Sequence, residues 1–359
     1  MHLGLSLTPF GHDPSAWREG GTMEQLGFDA LLSHVEQAEE AGVDFVLLSD
    51  RLGQRPTANL SPIAIPFEPT TLVAALSTRV RWIGFVAAAS TAQHEPYNLA
   101  RRFASLDHIS RGRTGWLAVP STDDLACSAE YLGLVRDLWD SWEDNAFVYD
   151  KAAARFFEPS KMHVLGHKGK HFSVRGPLNV NRSPQGRPVS AQFLSEKDTV
   201  LAAHHAELLL LQDAVPESAN KAAADFVRLL EAAGRQRQDV CILANVVPVI
   251  AESSDAAQTA SHALDFGQAD RAIQPLSAAR LVGTSDEIAD ALAQWFEAGQ
   301  VDGFTILPPT VAIGQLFFSD VMPQLQRRGL IKEKRGFTLR DRLSLSHPAH
   351  PAAEKEHAS

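Results

Sequence analysis

Val80-Arg81-Trp82-Ile83-Gly84-Phe85-Val86-Ala87-Ala88-Ala89, then Tyr97 to Ile109, then Gly115-Trp116-Leu117-Ala118-Val119: these three consecutive stretches decide the fold. The first is an apolar run without polar alternation, the pattern of a strand buried on both faces. The second alternates apolar and polar residues at helical spacing and stops before Gly112. The third is again an apolar run of strand length. A strand, a helix and a second strand in this order are the pattern of a parallel pair joined by a crossover helix.

The same rhythm extends in both directions. Leu3 to Thr8 reads as a strand, Leu31 to Ala41 as a helix terminated by Gly42, Phe45 to Ser49 as a strand and Glu68 to Leu76 as a helix, so four β/α units are complete by residue 144. Residues 145–187 break the rhythm, with Gly, Pro, Arg and Lys concentrated between Gly166 and Pro177. They hold too few apolar residues for a core of their own and read as an excursion carrying a short hairpin. Strands then return at Pro188 to Phe193, Leu208 to Leu211, Cys241 to Ile250 and Gly303 to Leu307, with helices at Ala219 to Ala233 and Glu287 to Ala298. Eight strands with intervening helices predict an α/β fold, a closed (β/α)8 TIM barrel, rather than an open doubly wound sheet. The expected organisation is a single barrel domain over 1–345 and a disordered, solvated tail over 346–359, which carries His347, His350 and His357.

Composition narrows the function. The 359 residues are 45% hydrophobic and 21% charged, with a net charge of −10, the wrong sign for a partner of nucleic acid. Cys127 and Cys241 match neither a redox pair nor a zinc spacing and read as small buried apolar residues, so no metal site is expected. No basic leader and no apolar stretch of about 18 residues occur, which predicts a soluble cytoplasmic protein with no membrane association. In a barrel of this kind chemistry sits at the C-terminal ends of the strands. The polar residues there are Thr8 with His12, Asp50, Ser90 with Thr91 and His94, Ser121, Gln192 with Glu196, Gln212 and Asn245. A nucleophile elbow, a phosphate-binding P-loop, a His-Glu-x-x-His motif and a dinucleotide fingerprint are all missing from the sequence.

The segment Glu95-Pro96-Tyr97-Asn98-Leu99-Ala100-Arg101-Arg102-Phe103-Ala104-Ser105-Leu106-Asp107-His108-Ile109-Ser110, followed by Gly112-Arg113, resembles the signature helix of the luciferase-like flavin monooxygenases. The resembling branch contains nitrilotriacetate monooxygenase, the pristinamycin synthase large subunit and dibenzothiophene-sulfone monooxygenase. Gly11 to Arg18, Leu138 to Asp144, His167 to Lys170, Val174 to Asn179, and Asp302 through Leu330 extend the likeness over roughly 1–345. The resemblance implies a barrel that takes reduced FMN from a separate flavin reductase and uses dioxygen to oxygenate a small substrate, working as a dimer. On that template His12 and Trp17 lie on the substrate side, and Asp50, Ser90, Thr91, His94 and Gln192 lie around the flavin. From the strand-end residues, Asn245 is a further substrate candidate and Ser121 a further cofactor candidate. His12, Asp50, His94 and Glu196 are the candidate catalytic groups.

The departures from the family pattern are concentrated where the flavin phosphate is held. Gly115-Trp116-Leu117-Ala118-Val119-Pro120-Ser121 stands where the family has Gly-Trp-Asn-Ile-Val-Thr-Ser, and the long loop that follows in the family is missing. The family's phosphate-holding His and Tyr fall at Ser121 and Leu125, and its Gln-Ala-Gly-Ala-Ser falls at Gln192-Phe193-Leu194-Ser195-Glu196. A carboxylate at a helix N-terminus opposes a phosphate there, by about 4 kcal/mol at about 4 Å and an effective dielectric of about 20. Two readings stand open: a monooxygenase with an altered phosphate grip, or a flavin-free barrel. The second would be a non-catalytic partner of a catalytic paralogue in a heterodimer, or a cofactor-independent acid-base enzyme with Glu196 as base. Glu196 also reads as the cap of its own helix. The segment from Asp265 to Ser277 reads as shorter than its family counterpart.

Overall fold

The computed structural model describes residues 1–18, 22–50, 67–121, 123–264, 277–331 and 336–352. Eight parallel strands close into a barrel: β1 (His2–Ser6), β2 (Phe45–Leu48), β3 (Gly84–Ser90), β4 (Thr114–Val119), β5 (Val189–Phe193), β6 (Leu208–Leu211), β7 (Cys241–Ile250) and β8 (Gly303–Ile306). Each pairs with the next in sequence, and β8 returns to β1 through His2↔Gly303 to Leu5↔Ile306, which is the predicted TIM barrel. The connecting helices include α1 (Phe28–Ala41), α2 (Pro69–Leu76), α3 (Pro96–Ser110), α4 (Leu125–Trp139), α5 (Thr199–His205) and α6 (Pro216–Ala232). Gly42 ends α1 in the left-handed conformation, as its position in the sequence predicts.

The barrel strands are buried on both faces over most of their length, so they are largely apolar; Leu208, Leu209, Leu210 and Leu211 are all inaccessible. Alternate residues divide between two cores. Phe45, Leu47, Val86, Leu117, Ala191, Leu210 and Leu243 fill the barrel, while Val46, Phe85, Trp116, Leu209 and Phe304 face the helices. Gly4 is required inside the barrel, because a Cβ there would stand 2.4 Å from the Phe45 ring. The floor is closed by Leu339, Leu343 and Leu345, carried by a short capped helix, Leu339–Arg342.

Several expectations are corrected. Residues 145–187 carry two hairpins, Phe147–Asp150 with Arg155–Phe157 and His167–Lys168 with Ser173–Val174. A ninth strand, Ala279–Gly283, pairs with the upper half of β7 outside the barrel closure. The tail does not begin as a solvated segment at 346. His350 is buried, its Nε2 donates to the Asp140 carbonyl at 2.7 Å, and its ring stacks on His163. The rest of the tail, 353–359 with His357, and the segment 265–276 lie outside the described residues. Cys241 is buried as expected, whereas Cys127 is partly exposed. Among the described residues no helix is long and apolar enough to cross a membrane.

The outer layer contains one buried carboxyl with a measurable consequence. Asp107 is inaccessible; its Oδ1 accepts from the Thr114 amide and from Gln185 Nε2, and its Oδ2 has no partner. Burial pushes its pKa up to about 7 against those hydrogen bonds. The folded state therefore binds this proton more tightly than the unfolded chain, and stability falls as pH rises from about 4 to about 7. Asp107→Asn is expected to flatten that decline. Melting temperatures of both proteins at pH 5 and pH 8 check it, and equal differences for the two would refute the assignment.

Candidate active site

The barrel's inner face turns polar toward the C-terminal ends of β1, β8 and β7. Ser6, Thr305 and Asn245 have the same parity as the barrel-filling residues, and Asn245 is the register partner of Thr305. All three are buried, at 2%, 0% and 1% exposure, and Ser6 Oγ, Thr305 Oγ1 and Asn245 Oδ1 have no hydrogen-bond partner within the protein. The Asn245 amide nitrogen reaches the Ser277 carbonyl at 3.5 Å, which leaves its oxygen directed elsewhere. Each such group costs about 1–3 kcal/mol when left unsatisfied, so the three mark a candidate seat for a hydrogen-bonding ligand edge. The candidate seat is uncharged.

Of the residues singled out in the sequence, Asn245 lies in this seat and His12 lies at its edge. The His12 amide donates to Pro308 O at 2.8 Å, and its Nε2 lies 3.1 Å from the Ser6 carbonyl. Trp17 is 40% exposed under the Arg18 guanidinium, in the short helix that follows. Ser90 faces the barrel interior, and its Oγ accepts from the Ala92 amide. Thr91 and Ser121 are tied into the start of α4: the Ser121 amide donates to Thr91 Oγ1 at 3.3 Å and Ser128 Oγ at 3.1 Å. His94 and Asp50 share one electrostatic neighbourhood with Arg102 and Glu68. Burial, followed by Arg102, lowers the His94 pKa, while Glu68 and Asp50 oppose this. His94 is therefore neutral near pH 7.

Two of the predicted residues are placed differently from the expectation. Gln192 has the opposite parity to Ala191 and Phe193, so its amide faces the helical layer, where both polar atoms are buried without partners. Phe193 takes the mouth-facing position instead. Glu196 is exposed and does not cap α5; the residue at the N-cap is Asp198, buried and with its pKa raised chiefly by that burial. The expected carboxylate at this helix start is present but two residues further on.

The N-cap position next door is also an aspartate, there with a side-chain cap that Asp198 does not make. Asp124 is the N-cap of α4, and its Oδ1 accepts from the Cys127 amide at 2.9 Å. The two helices that follow the adjacent strands β4 and β5 thus both begin on an aspartate. A helix N-terminus is a ready anion site when its orphan amides and positive dipole end are available. Here a carboxylate already stands at each. Ser6 and Thr305 escape sequence reading because their neighbours along the strand are apolar, and Asp124 and Asp198 because the helix starts are not evident from the sequence. Strand parity counted from Phe45 would have found the first two.

The fold is a (β/α)8 TIM barrel, a class whose sites lie at the C-terminal end of the strands. The chain matches the family model described as luciferase-like monooxygenase over residues 6–277, and it belongs to that family. It is 31% identical over 435 aligned residues to N-acetyl-S-(2-succino)cysteine monooxygenase of Bacillus subtilis (strain 168), covering 99% of this chain and 98% of the relative. That alignment is longer than the 359-residue chain, so the relative carries additional segments inside the shared span. Nitrilotriacetate monooxygenase component A of Aminobacter aminovorans is also 31% identical, over 99% of this chain and 98% of its own length. Among solved structures, EDTA monooxygenase from Chelativorans sp. BNC1 superimposes with a TM-score of 0.86 at 26% identity, covering 98% and 99% of the two chains.

Proposed function

We propose that this chain is a monooxygenase-family barrel that acts on a small polar organic substrate and has an altered FMN phosphate site, so that FMN is not held tightly. The observation that carries the reading is the pair of aspartates, Asp124 and Asp198, at the starts of α4 and α5. A phosphate dianion brought to either helix start meets a carboxylate as well as the dipole. Phe193 in the mouth-facing position and the short connection Pro120 to Asp124 support the same reading. The residues present at the starts of α4 and α5 do not fit the phosphate end of the cofactor. The seat formed by Ser6, Asn245 and Thr305 accommodates the hydrogen-bonding edge of a substrate, with His12 beside it.

The relative named as a component A suggests a partner arrangement, and a separate flavin reductase supplying reduced FMN in transit is the partner this reading favours. A dimer, of identical chains or with a catalytic paralogue, is part of the same proposal. The flavin-free reading rests on the same two aspartates, with neutral His94 near Asp50 as its acid-base pair. Titration with oxidised and photoreduced FMN, followed by flavin fluorescence and absorbance, tests the proposal. Weak binding of the reduced form without low-micromolar saturation is expected. Saturation in the low micromolar range overturns the altered grip, and complete absence of binding selects the flavin-free reading.

A further inference from the structure

The geometry points to a divalent metal site of the zinc type made by Asp124, Cys127 and His171. One ligand-capable atom from each, a carboxylate oxygen, the thiol sulfur and a ring nitrogen, all lie within 4.8 Å of one another. Asp124 and Cys127 are placed by α4: the first is its N-cap and the second lies one turn along the same face. Only Oδ1 of Asp124 is taken by the cap, and Oδ2 lies 4.0 Å from His171 Nδ1.

His171 is brought over this turn by a dedicated clasp. Glu130, on the same helix, accepts from the His171 amide at 3.0 Å through Oε2 and from the Phe172 amide and His167 Nε2 through Oε1. The tip of the second hairpin is thereby pinned to the first turns of α4. The ring nitrogen within 4.0 Å of Asp124 is Nδ1, and the other, Nε2, is buried with no hydrogen-bond partner within the protein, so no competing contact in the protein takes up the ring.

The donor set selects the metal. One thiolate, one imidazole and one carboxylate suit a borderline ion such as Zn2+ and do not suit Mg2+ or Ca2+, which favour oxygen-only shells. Bond lengths of about 2.0–2.3 Å place tetrahedral ligands about 3.5 Å apart, so the three groups close by about 1 Å. Exposed Asp124 can make that movement. On binding, the Cys127 thiol releases its proton to solvent and three protein ligands leave a fourth position for water. The only other three-residue group of this kind among the described residues, Glu143, His163 and His350, offers no sulfur. Both ring nitrogens of His350 are engaged there, by the Asp140 carbonyl and the Ala352 amide.

The test is a titration of chelator-treated full-length protein with Co2+, with Zn2+ as competitor. One equivalent of Co2+ is expected to produce a thiolate-to-cobalt charge-transfer band that Zn2+ abolishes. Cys127→Ser is expected to lose that band. His171→Gln is expected to weaken the affinity by at least the about 10–100-fold that removal of a mere ligand-orienting partner costs. Circular dichroism of each variant confirms that the barrel is intact. Cobalt bound without a sulfur band, a band that survives Cys127→Ser, or no binding at all would each overturn the site.

Discussion

Replacing both Asp124 and Asp198 by serine is expected to tighten FMN binding by about 5–30-fold while leaving riboflavin, which lacks the phosphate, unchanged. Serine is as good an N-cap as Asp124, and Asp198 makes no side-chain capping hydrogen bond, so the helices keep their starts while the two carboxylates disappear. A charge at a helix N-terminus is worth about 0.3–1 kcal/mol on the surface and up to about 2 kcal/mol when partly buried. Asp198 is buried and Asp124 exposed, so together they account for about 1–2 kcal/mol, the quoted range. Equilibrium titration of metal-free protein measures it, because a cation on Asp124 would mask that carboxylate. An unchanged FMN affinity in the double variant would show that the phosphate lies elsewhere.

The largest expected loss of stability comes from Arg113. Its side chain is 4% exposed and donates to four backbone carbonyls: Nε to Ser110 at 2.7 Å, Nη1 to Ile83 at 2.6 Å, and Nη2 to Ser77 at 2.8 Å and Val80 at 3.1 Å. It joins the end of α3 to the turns after α2 and before β3. Arg113→Met keeps the aliphatic stem and removes all four donors. With each buried acceptor worth about 1–3 kcal/mol, the variant is expected to lose at least about 4 kcal/mol in urea unfolding. A loss below about 1 kcal/mol would mean that water replaces the guanidinium and that the hub is dispensable.

The barrel was legible because a parallel strand buried on both faces is an apolar run that nothing else in a soluble chain imitates. Leu208 to Leu211 and Cys241 to Ile250 have the same bounds in the structure as in the sequence. Elements without that signature were not legible. The strand Ala279–Gly283 is short, carries Arg280 and pairs only with β7; α5 has seven residues and ends in two histidines. The floor residue Leu339 could not be recognised before Gly84 and Gly115 were seen to make room for it.

The site was legible in part, for a related reason. Asn245, midway along β7, and His12, in the loop after β1, are polar residues in otherwise apolar surroundings, and both lie beside the candidate seat. Gln192 was misdirected because its strand, Val189–Phe193, is largely buried on both sides, so hydrophobicity does not reveal which parity faces the mouth. The reverse error hid Ser6 and Thr305, each flanked by leucine, isoleucine or phenylalanine. The carboxylate expected at the start of α5 is Glu196 in the sequence reading, because the sequence does not show where α5 begins. The chain turns into the helix at Asp198, and there the charge is buried rather than exposed.

The most direct measurement is the ratio of the dissociation constants of riboflavin and FMN, taken on the same metal-free protein in the reduced state. With the phosphate unsupported at α4 and α5, the two are predicted to bind equally weakly, with a ratio close to one. FMN binding more than about tenfold tighter than riboflavin, a difference of ~1.4 kcal/mol, would show a working phosphate grip and contradict the account.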